Sequence, residues 1–224
     1  MKTHTMEQGT KEWLLARCGL LTASTVKQVL TEKTLKVGNN DKTRALAFEL
    51  AAQRVNQYVE PQFETFAMAR GHVDEVYARE LYNETTNTEA YEVGFTTEEI
   101  APGVTLGYSP DGLVGEDGLI EIKSRCQKYQ MQTIAANIAP AEYMLQMQTG
   151  MLVTGRKWCD FVSYCGGMPL FIKRVYPDIQ IRASIVAATV TLEDKINELI
   201  TAYTENCKGM PVAPRIDYNN EIEL

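Results

Sequence analysis

The spacing of apolar residues alternates along the chain between the period of amphipathic helices and the short β-rich runs typical of strands. The pattern predicts helices over 10–18, 22–30, 42–58, 63–83, 127–137, 141–153 and 178–207, and strands over 90–97, 104–109, 158–165 and 170–176. The last two strands read as a hairpin. Residues 31–41 are predicted as a loop and 210–224 as an extended tail available for partner contacts. This order favours an α/β fold, a mixed central β-sheet flanked by helices.

One further predicted hairpin, within residues 109–125, gathers charged side chains at one end of the sheet. Gly115–Gly118 has turn chemistry between two apolar runs. In the run that follows, Glu121 and Lys123 point to one face, while the isoleucines that alternate with them point to the core. Asp111 ends the preceding strand, so the hairpin returns it to a position beside Glu121. Two carboxylates and an ammonium group therefore converge.

This convergence predicts a metal site. Carboxylates repel one another unless a cation or a shared proton offsets the repulsion, and oxygen ligands suit Mg²⁺ or Mn²⁺. An ion held by Asp111 and Glu121 would polarise a phosphate and acidify a bound water, which Lys123 would orient. The alternative is a solvated hairpin face with a weak Glu121–Lys123 surface pair. The upstream Pro110-Asp111 and the intervening turn favour the metal site.

The motif also carries a family resemblance. Pro110-Asp111 followed by Glu121-Ile122-Lys123 resembles the Pro-Asp…Glu-x-Lys signature of restriction-endonuclease-like PD-(D/E)xK nucleases, and the context is similar to the phage lambda exonuclease (YqaJ-type viral recombinase) family. Further matching segments, in the family's order over the first two thirds of the chain, are Glu12-Trp13 through Arg17, Leu21–Ser24, Ala69 with Gly71–Glu75, Ser109–Leu113 and Tyr143–Gln148. The resemblance implies a restriction-endonuclease-like core.

The resemblance implies specific catalytic roles. Asp111 and Glu121 would ligate Mg²⁺ (Mn²⁺ is possible), with two ions per site, and the backbone carbonyl of Ile122 would be a further ligand. Lys123 would position the nucleophile. Glu75 lies among small and apolar residues on one helical face, so its carboxylate is expected to be partly buried and to need a partner. That partner is either a lysine or the metal centre, and the family places a glutamate beside the metal here.

A second candidate site is an anion pocket near the N-terminus. Thr22–Thr25 offers hydroxyls that cap a helix, and ordinary capping is the default interpretation. A helix N-terminus with a hydroxyl and a guanidinium nearby also binds phosphate. The resemblance favours the pocket and assigns four residues to the 5′-phosphate of a DNA end: Arg17, Ser24, Ser109 and Gln148. Gln146 is a candidate for supporting the metal ligands, although a glutamine on an apolar helix is often a satisfied core amide.

Composition bounds these hypotheses without suggesting them. The 224 residues are expected to form one domain, with N-terminal helices and the phosphate pocket in 1–60, the catalytic core in 61–176, and a C-terminal helix and tail in 177–224. The net charge of −7 argues against a basic DNA-coating protein. Five cysteines without metal-ligand spacing, and the absence of a long apolar run, favour a cytoplasmic protein without membrane association.

The resulting prediction is a Mg²⁺-dependent exonuclease. By resemblance it digests linear double-stranded DNA from 5′ to 3′, releases 5′-mononucleotides and leaves 3′ overhangs for homologous recombination by single-strand annealing. The family also implies a homotrimeric ring around DNA and a single-strand annealing protein as partner, in a bacterial host or a prophage-bearing cell. Two alternatives remain: an endonuclease of the same fold, and a non-catalytic DNA-binding recombination protein.

Overall fold

The strands of the computed structural model, which describes residues 1–60 and 65–215, form two sheets. The strands are β1 (Lys2–His4), β2 (Leu21–Thr22), β3 (Ala90–Tyr91), β4 (Phe95–Ala101), β5 (Val104–Tyr108), β6 (Gly112–Val114), β7 (Gly118–Ser124), β8 (Trp158–Tyr164) and β9 (Phe171–Val175). Within the described ranges one sheet has the order β1-β4-β5-β2 and the other β3-β6-β7-β8-β9. Both mix parallel and antiparallel pairs, which confirms the predicted mixed α/β architecture.

Helices cover these sheets. They are α1 (Lys11–Arg17), α2 (Asp41–Asn56), α3 (Phe66–Thr86), α4 (Gln127–Ala136), α5 (Met144–Thr154) and α6 (Ile179–Asn206). Thr10, Asn40, Thr65 and Asp178 cap helices by accepting a hydrogen bond from a backbone N–H in the first turn. The predicted helices 10–18, 42–58, 127–137, 141–153 and 178–207 are confirmed with small shifts at their ends. The start of the helix predicted at 63, like the tail residues 216–224, lies outside the described residues.

Strand β7 occupies the middle of its sheet. It pairs antiparallel with β6, where Gly112 lies opposite Ile120, and parallel with β8 through a crossover that contains α4 and α5. Both faces are covered: Leu119 packs in the large core with α2, α5 and α6, whereas Ile120 packs with Ala78 and Tyr82 of α3. The predicted hairpin is confirmed, and Glu121 within it is fully buried.

Residues 22–30 do not form the predicted α-helix. Thr22 is the last residue of β2, which pairs in parallel with β5, and Val26–Gln28 form a short 3-10 turn. The Thr25 hydroxyl accepts from the Thr22 N–H at 3.2 Å and donates to the Thr22 carbonyl at 3.0 Å. This side-chain bonding closes a tight turn in place of a first helical turn.

The strand predicted over 90–97 is divided between the two sheets. β3 pairs with β6 and β4 pairs with β1 and β5. Gly94 lies between them, where any side chain would collide with the backbone oxygen of Met6. A glycine therefore permits the close approach that lets the chain change sheets. In the described parts of the chain no helix is both long and apolar enough to cross a membrane.

Candidate active site

The β6–β7 hairpin brings the predicted carboxylates together. Gly112 pairs with Ile120, so Asp111 and Glu121 lie opposite each other at the next position of the hairpin. The Asp111 carboxylate accepts a hydrogen bond from the backbone N–H of Ile122 at 2.6 Å. This bond fixes the Asp111 side chain against β7, as the sequence pattern predicts.

The Glu121 carboxylate is held from both sides. One oxygen accepts from the Lys123 ammonium and the other from the Tyr108 hydroxyl at 3.1 Å. Burial, and then the Glu121 carboxylate, raise the pKa of Asp111 well above its usual value. Burial alone would lower the pKa of Lys123, but Glu121 and Asp111 outweigh burial and raise it, so the ammonium is protonated at neutral pH. One internal cation therefore faces two carboxylates, and a further cation is favoured here.

Glu75 reaches the same region from α3. Its carboxylate lies 3.5 Å from the Arg79 guanidinium. Burial raises the pKa of Glu75 in spite of the opposing charges of Arg79 and Lys123, and the Glu75 charge in turn raises the pKa of Asp111. The adjacent Asp74 also faces the sheet and accepts a hydrogen bond from the Ser124 hydroxyl at 2.5 Å. α3 therefore presents Glu75 beside the hairpin carboxylates.

The chemistry of these donors suits a hard divalent cation. Mg²⁺ is commonly bound by one or two carboxylates and keeps several water ligands, and Asp111 and Glu121 supply two. Among the described residues, no group of three or more histidine, cysteine, aspartate or glutamate side chains is arranged to hold a metal ion by itself. Water, substrate or backbone oxygens would complete the coordination, and a role for the Ile122 carbonyl stays a prediction.

The raised pKa of Asp111 predicts that the stability of the protein depends on pH. Because its pKa is raised in the folded protein, the folded state retains a proton that the unfolded chain releases, so stability falls as pH rises through this range. Asp111→Asn removes this penalty, and we expect the melting temperature of the metal-free protein at neutral pH to rise by a few degrees. The gain should shrink in acid, where both states are protonated.

Calorimetry in chelator measures this effect. Asp117→Asn is the matched control, because Asp117 lies in the turn of the same hairpin and pairs with Lys157 at the surface. A melting temperature that is lower for Asp111→Asn than for the control would contradict the electrostatic explanation.

A cavity of about 170 Å³ lies next to the hairpin. Its lining consists of Trp13, Arg17, Thr22, Ala23, Ser24, Tyr108, Ser109 and Gln146. The Arg17 guanidinium donates to the Ser109 hydroxyl at 3.0 Å and stacks 4.2 Å from the centre of the Trp13 ring. Burial lowers the pKa of Arg17 to about 10, so it remains a cation at neutral pH. Among the described residues its partners are hydroxyls and aromatic rings rather than a carboxylate.

The hydroxyls of the cavity come from two paired strands. Thr22 of β2 lies opposite Gly107 of β5 in a parallel pair, so Ser24 and Ser109, each two residues further along, emerge at the same edge. The Ser109 oxygen accepts from the Trp13 indole N–H and from Arg17, both at 3.0 Å. Its own hydrogen is therefore available to donate to an anion.

The two glutamines of α5 occupy different environments. Gln148 is buried, donates to the Tyr176 carbonyl at 2.8 Å and accepts from the Asp178 N–H at 2.8 Å. The structure therefore does not place Gln148 in the cavity with Arg17, and Gln146 lies there instead. Residues two apart on a helix point about 200° away from each other, so only one of the two can face the cavity.

Comparison with known proteins places this arrangement in a family. The model of the YqaJ-like viral recombinase domain matches residues 12–157, which include both the carboxylate site and the cavity. The chain belongs to this family. No curated protein matches the sequence.

Solved structures that are similar to this YqaJ-like chain support the same family assignment. An alkaline exonuclease, LHK-Exo, from Laribacter hongkongensis is 36% identical, with a TM-score of 0.73 over 88% of this chain and 100% of that one. LHK-Exo in complex with dAMP is 35% identical, with the same TM-score and coverage. A phage-related exonuclease from Haemophilus somnus 129PT, 13% identical, has a TM-score of 0.63 over 82% of this chain and 96% of that one, and supports the fold alone. The restriction-endonuclease-like fold is confirmed, and membership supports a nuclease that acts in recombination.

Sequence reasoning missed some members of the YqaJ-like site. Trp13 and Thr22 lie inside matching segments, but neither is predicted to belong to the phosphate pocket, and Tyr108 is predicted only as part of a strand. The parallel β2–β5 pairing that brings Thr22 to the cavity has no local signal, because β2 is very short. The alternation of β7 predicts Asp111 beside Glu121, but it could not identify the Tyr108 hydroxyl as a hydrogen-bond donor to Glu121.

Proposed function

We propose that this protein is a Mg²⁺-dependent exonuclease that digests linear double-stranded DNA from 5′ to 3′, releasing 5′-mononucleotides and leaving 3′ overhangs. The proposal rests on one observation, which is that the cavity adjoins the carboxylate site. Tyr108 lines the cavity and donates to Glu121, while Ser109 of the cavity and Asp111 of the carboxylate pair are separated by one residue. An anion pocket therefore adjoins a site with the chemistry for phosphodiester hydrolysis.

The cleavage centre uses the residues of the hairpin. Mg²⁺ would be held by Asp111 and Glu121, with Glu75 near a second ion or its water, and would supply charge stabilisation to the phosphate and acidify water. Lys123, which is protonated, orients the attacking water and offsets the negative charge that develops on the phosphate. Burial of Glu121 fixes this geometry before substrate arrives.

The cavity supports an exonuclease over an endonuclease of the same fold. A partly buried guanidinium that has no carboxylate partner among the described residues is suited to an anion from outside the protein, and arginine and hydroxyl donors match a phosphate. A terminal 5′-phosphate carries more charge than an internal phosphodiester, so Arg17, Ser24 and Ser109 favour a DNA end. Gln146, which lines the cavity, would contact the phosphate in place of Gln148, the residue that the family resemblance implies.

The relatives support the product and the biological context. LHK-Exo has been solved with dAMP, a deoxynucleoside monophosphate, which is the product class proposed here. A single-strand annealing protein as partner and a homotrimeric ring around DNA follow from the family resemblance. Analytical ultracentrifugation tests the ring, and a monomer at working concentration would remove it from the proposal. A cytoplasmic location stays a prediction of the cysteine content.

The decisive experiment compares one DNA as a linear 5′-phosphorylated duplex and as a closed circle, each with Mg²⁺ and with chelator. We expect loss of the linear form only, in Mg²⁺ only, with mononucleotides as products. Nicking of the circle would indicate the endonuclease. Failure to cleave either form would indicate the non-catalytic DNA-binding protein.

A further inference from the structure

Arg79 on α3 makes three contacts around the carboxylate site that the roles above do not use. Its guanidinium donates to the backbone carbonyl of Asp111 at 3.0 Å, and lies 3.0 Å from the Glu92 carboxylate and 3.5 Å from that of Glu75. The Arg79 side chain is only 12% exposed. Because a guanidinium presents its donors in a rigid planar fork, acceptors that share one fork hold fixed positions relative to each other.

We propose that Arg79 is a positioning residue of the cleavage centre, tying the Asp111 turn and the Glu75 carboxylate together so that both face one cation site. The inference rests on the proposed function. Asp111 belongs to the hairpin and Glu75 to a helix far away in sequence, so their separation depends on non-covalent contacts. Arg79 contacts both residues directly.

The contact distances indicate how Arg79 does this. The two shorter contacts, with Asp111 and Glu92, anchor the guanidinium, and the longer contact orients Glu75 without locking it in a tight ion pair. Docking of α3 on the sheet does not depend on Arg79 alone, because Asp74 also accepts a hydrogen bond from Ser124 of β7. Arg79 therefore adjusts the site rather than holding the helix in place.

The test measures Mg²⁺ affinity by calorimetry without DNA, and kcat and KM on a linear 5′-phosphorylated duplex, for Arg79→Lys in the full chain. We expect the Kd for Mg²⁺ to rise and kcat to fall, each by about tenfold, because partners of metal ligands typically contribute this much. KM for DNA should stay unchanged, because Arg79 is not placed in the phosphate pocket.

Arg174→Lys is the matched control. Arg174 pairs with the buried Asp160 through two contacts of 2.8 Å, and Asp160 accepts from Tyr82 of α3, so the same substitution disturbs the same helix–sheet interface away from the carboxylates. Arg174→Lys should lower the melting temperature and leave the Kd for Mg²⁺ and kcat unchanged. Wild-type values of Kd and kcat for Arg79→Lys, or equal changes in both variants, would overturn the proposal. Failure of the wild type to cleave DNA would refute the proposed function instead, because the Mg²⁺ titration does not require cleavage.

A second pair of variants serves if circular dichroism shows that Arg79→Lys does not fold. Glu92→Gln, at a half-exposed position, removes the negative charge from one of the two short contacts of Arg79 and so weakens it. Glu89→Gln removes the same charge from a nearby exposed residue. We expect the Kd for Mg²⁺ to rise severalfold more in Glu92→Gln, and equal Kd values would overturn the proposal.

Discussion

Replacing Lys123 with alanine is expected to lower the rate of DNA cleavage by at least about 10²-fold while leaving DNA binding largely intact. The ammonium contacts Glu121 and lies on the face where the attacking water would be oriented, but it is not part of the phosphate cavity. Single-turnover digestion gives the rate, and fluorescence anisotropy with a 5′-phosphorylated duplex in chelator gives the affinity. The substitution also leaves Glu121 buried without its cation, so the metal-free variant should melt earlier than the wild type.

Lys157→Ala is the control for this experiment. Lys157 pairs with Asp117 on the exposed part of the same hairpin, where surface ion pairs contribute little. Its cleavage rate and melting temperature should match those of the wild type. Unchanged turnover in Lys123→Ala would mean that the cleavage centre lies elsewhere.

Arg17→Ala is expected to slow the digestion of 5′-phosphorylated ends by about 10- to 100-fold, the range expected for losing hydrogen bonds to a charged group. Ends with a 5′-hydroxyl should be slowed much less, because they lack the terminal charge that the guanidinium binds. Initial rates on two duplexes that differ only in this phosphate measure the difference. Ser109→Ala should act in the same direction with a smaller effect.

Arg44→Ala provides the comparison for Arg17. Arg44 is an exposed arginine that pairs with Asp41 on α2, so its removal changes net charge equally without touching the cavity. Because Arg17 also packs on Trp13, melting curves are needed to show that the Arg17 variant remains folded at the assay temperature. Equal slowing of both kinds of DNA end would count against the phosphate pocket.

The carboxylate site was predictable because its information is local. A turn and a strict alternation place Asp111, Glu121 and Lys123 within one hairpin, and the register follows from the strand period. The local pattern does not define the role of Glu75, because an acid on a helical face has several possible partners. The family resemblance chose among them, and the structure places Glu75 beside the hairpin.

The cavity was less predictable because it depends on contacts distant in sequence. The short strand β2 is recognisable only through its pairing with β5, and the hydroxyls of residues 22–25 predict a helix because they also suit a helix cap. The glutamines of α5 show a different limit of prediction from the sequence. Both lie in one matching segment, and only packing shows that Gln148 bonds to the backbone near α6 while Gln146 lines the cavity that also contains Arg17.

The segment Tyr108–Asp111 has a consequence for the size of the product. Ser109 and Asp111 are two residues apart, so the covalent chain limits the distance between their Cα atoms to about 7 Å. In the proposed reaction the backbone therefore limits the distance between the pocket that binds the terminal phosphate and the bond that is cut. The number of nucleotides removed in each cycle would then depend on this covalently limited distance together with the way the DNA end binds Arg17 and Ser24.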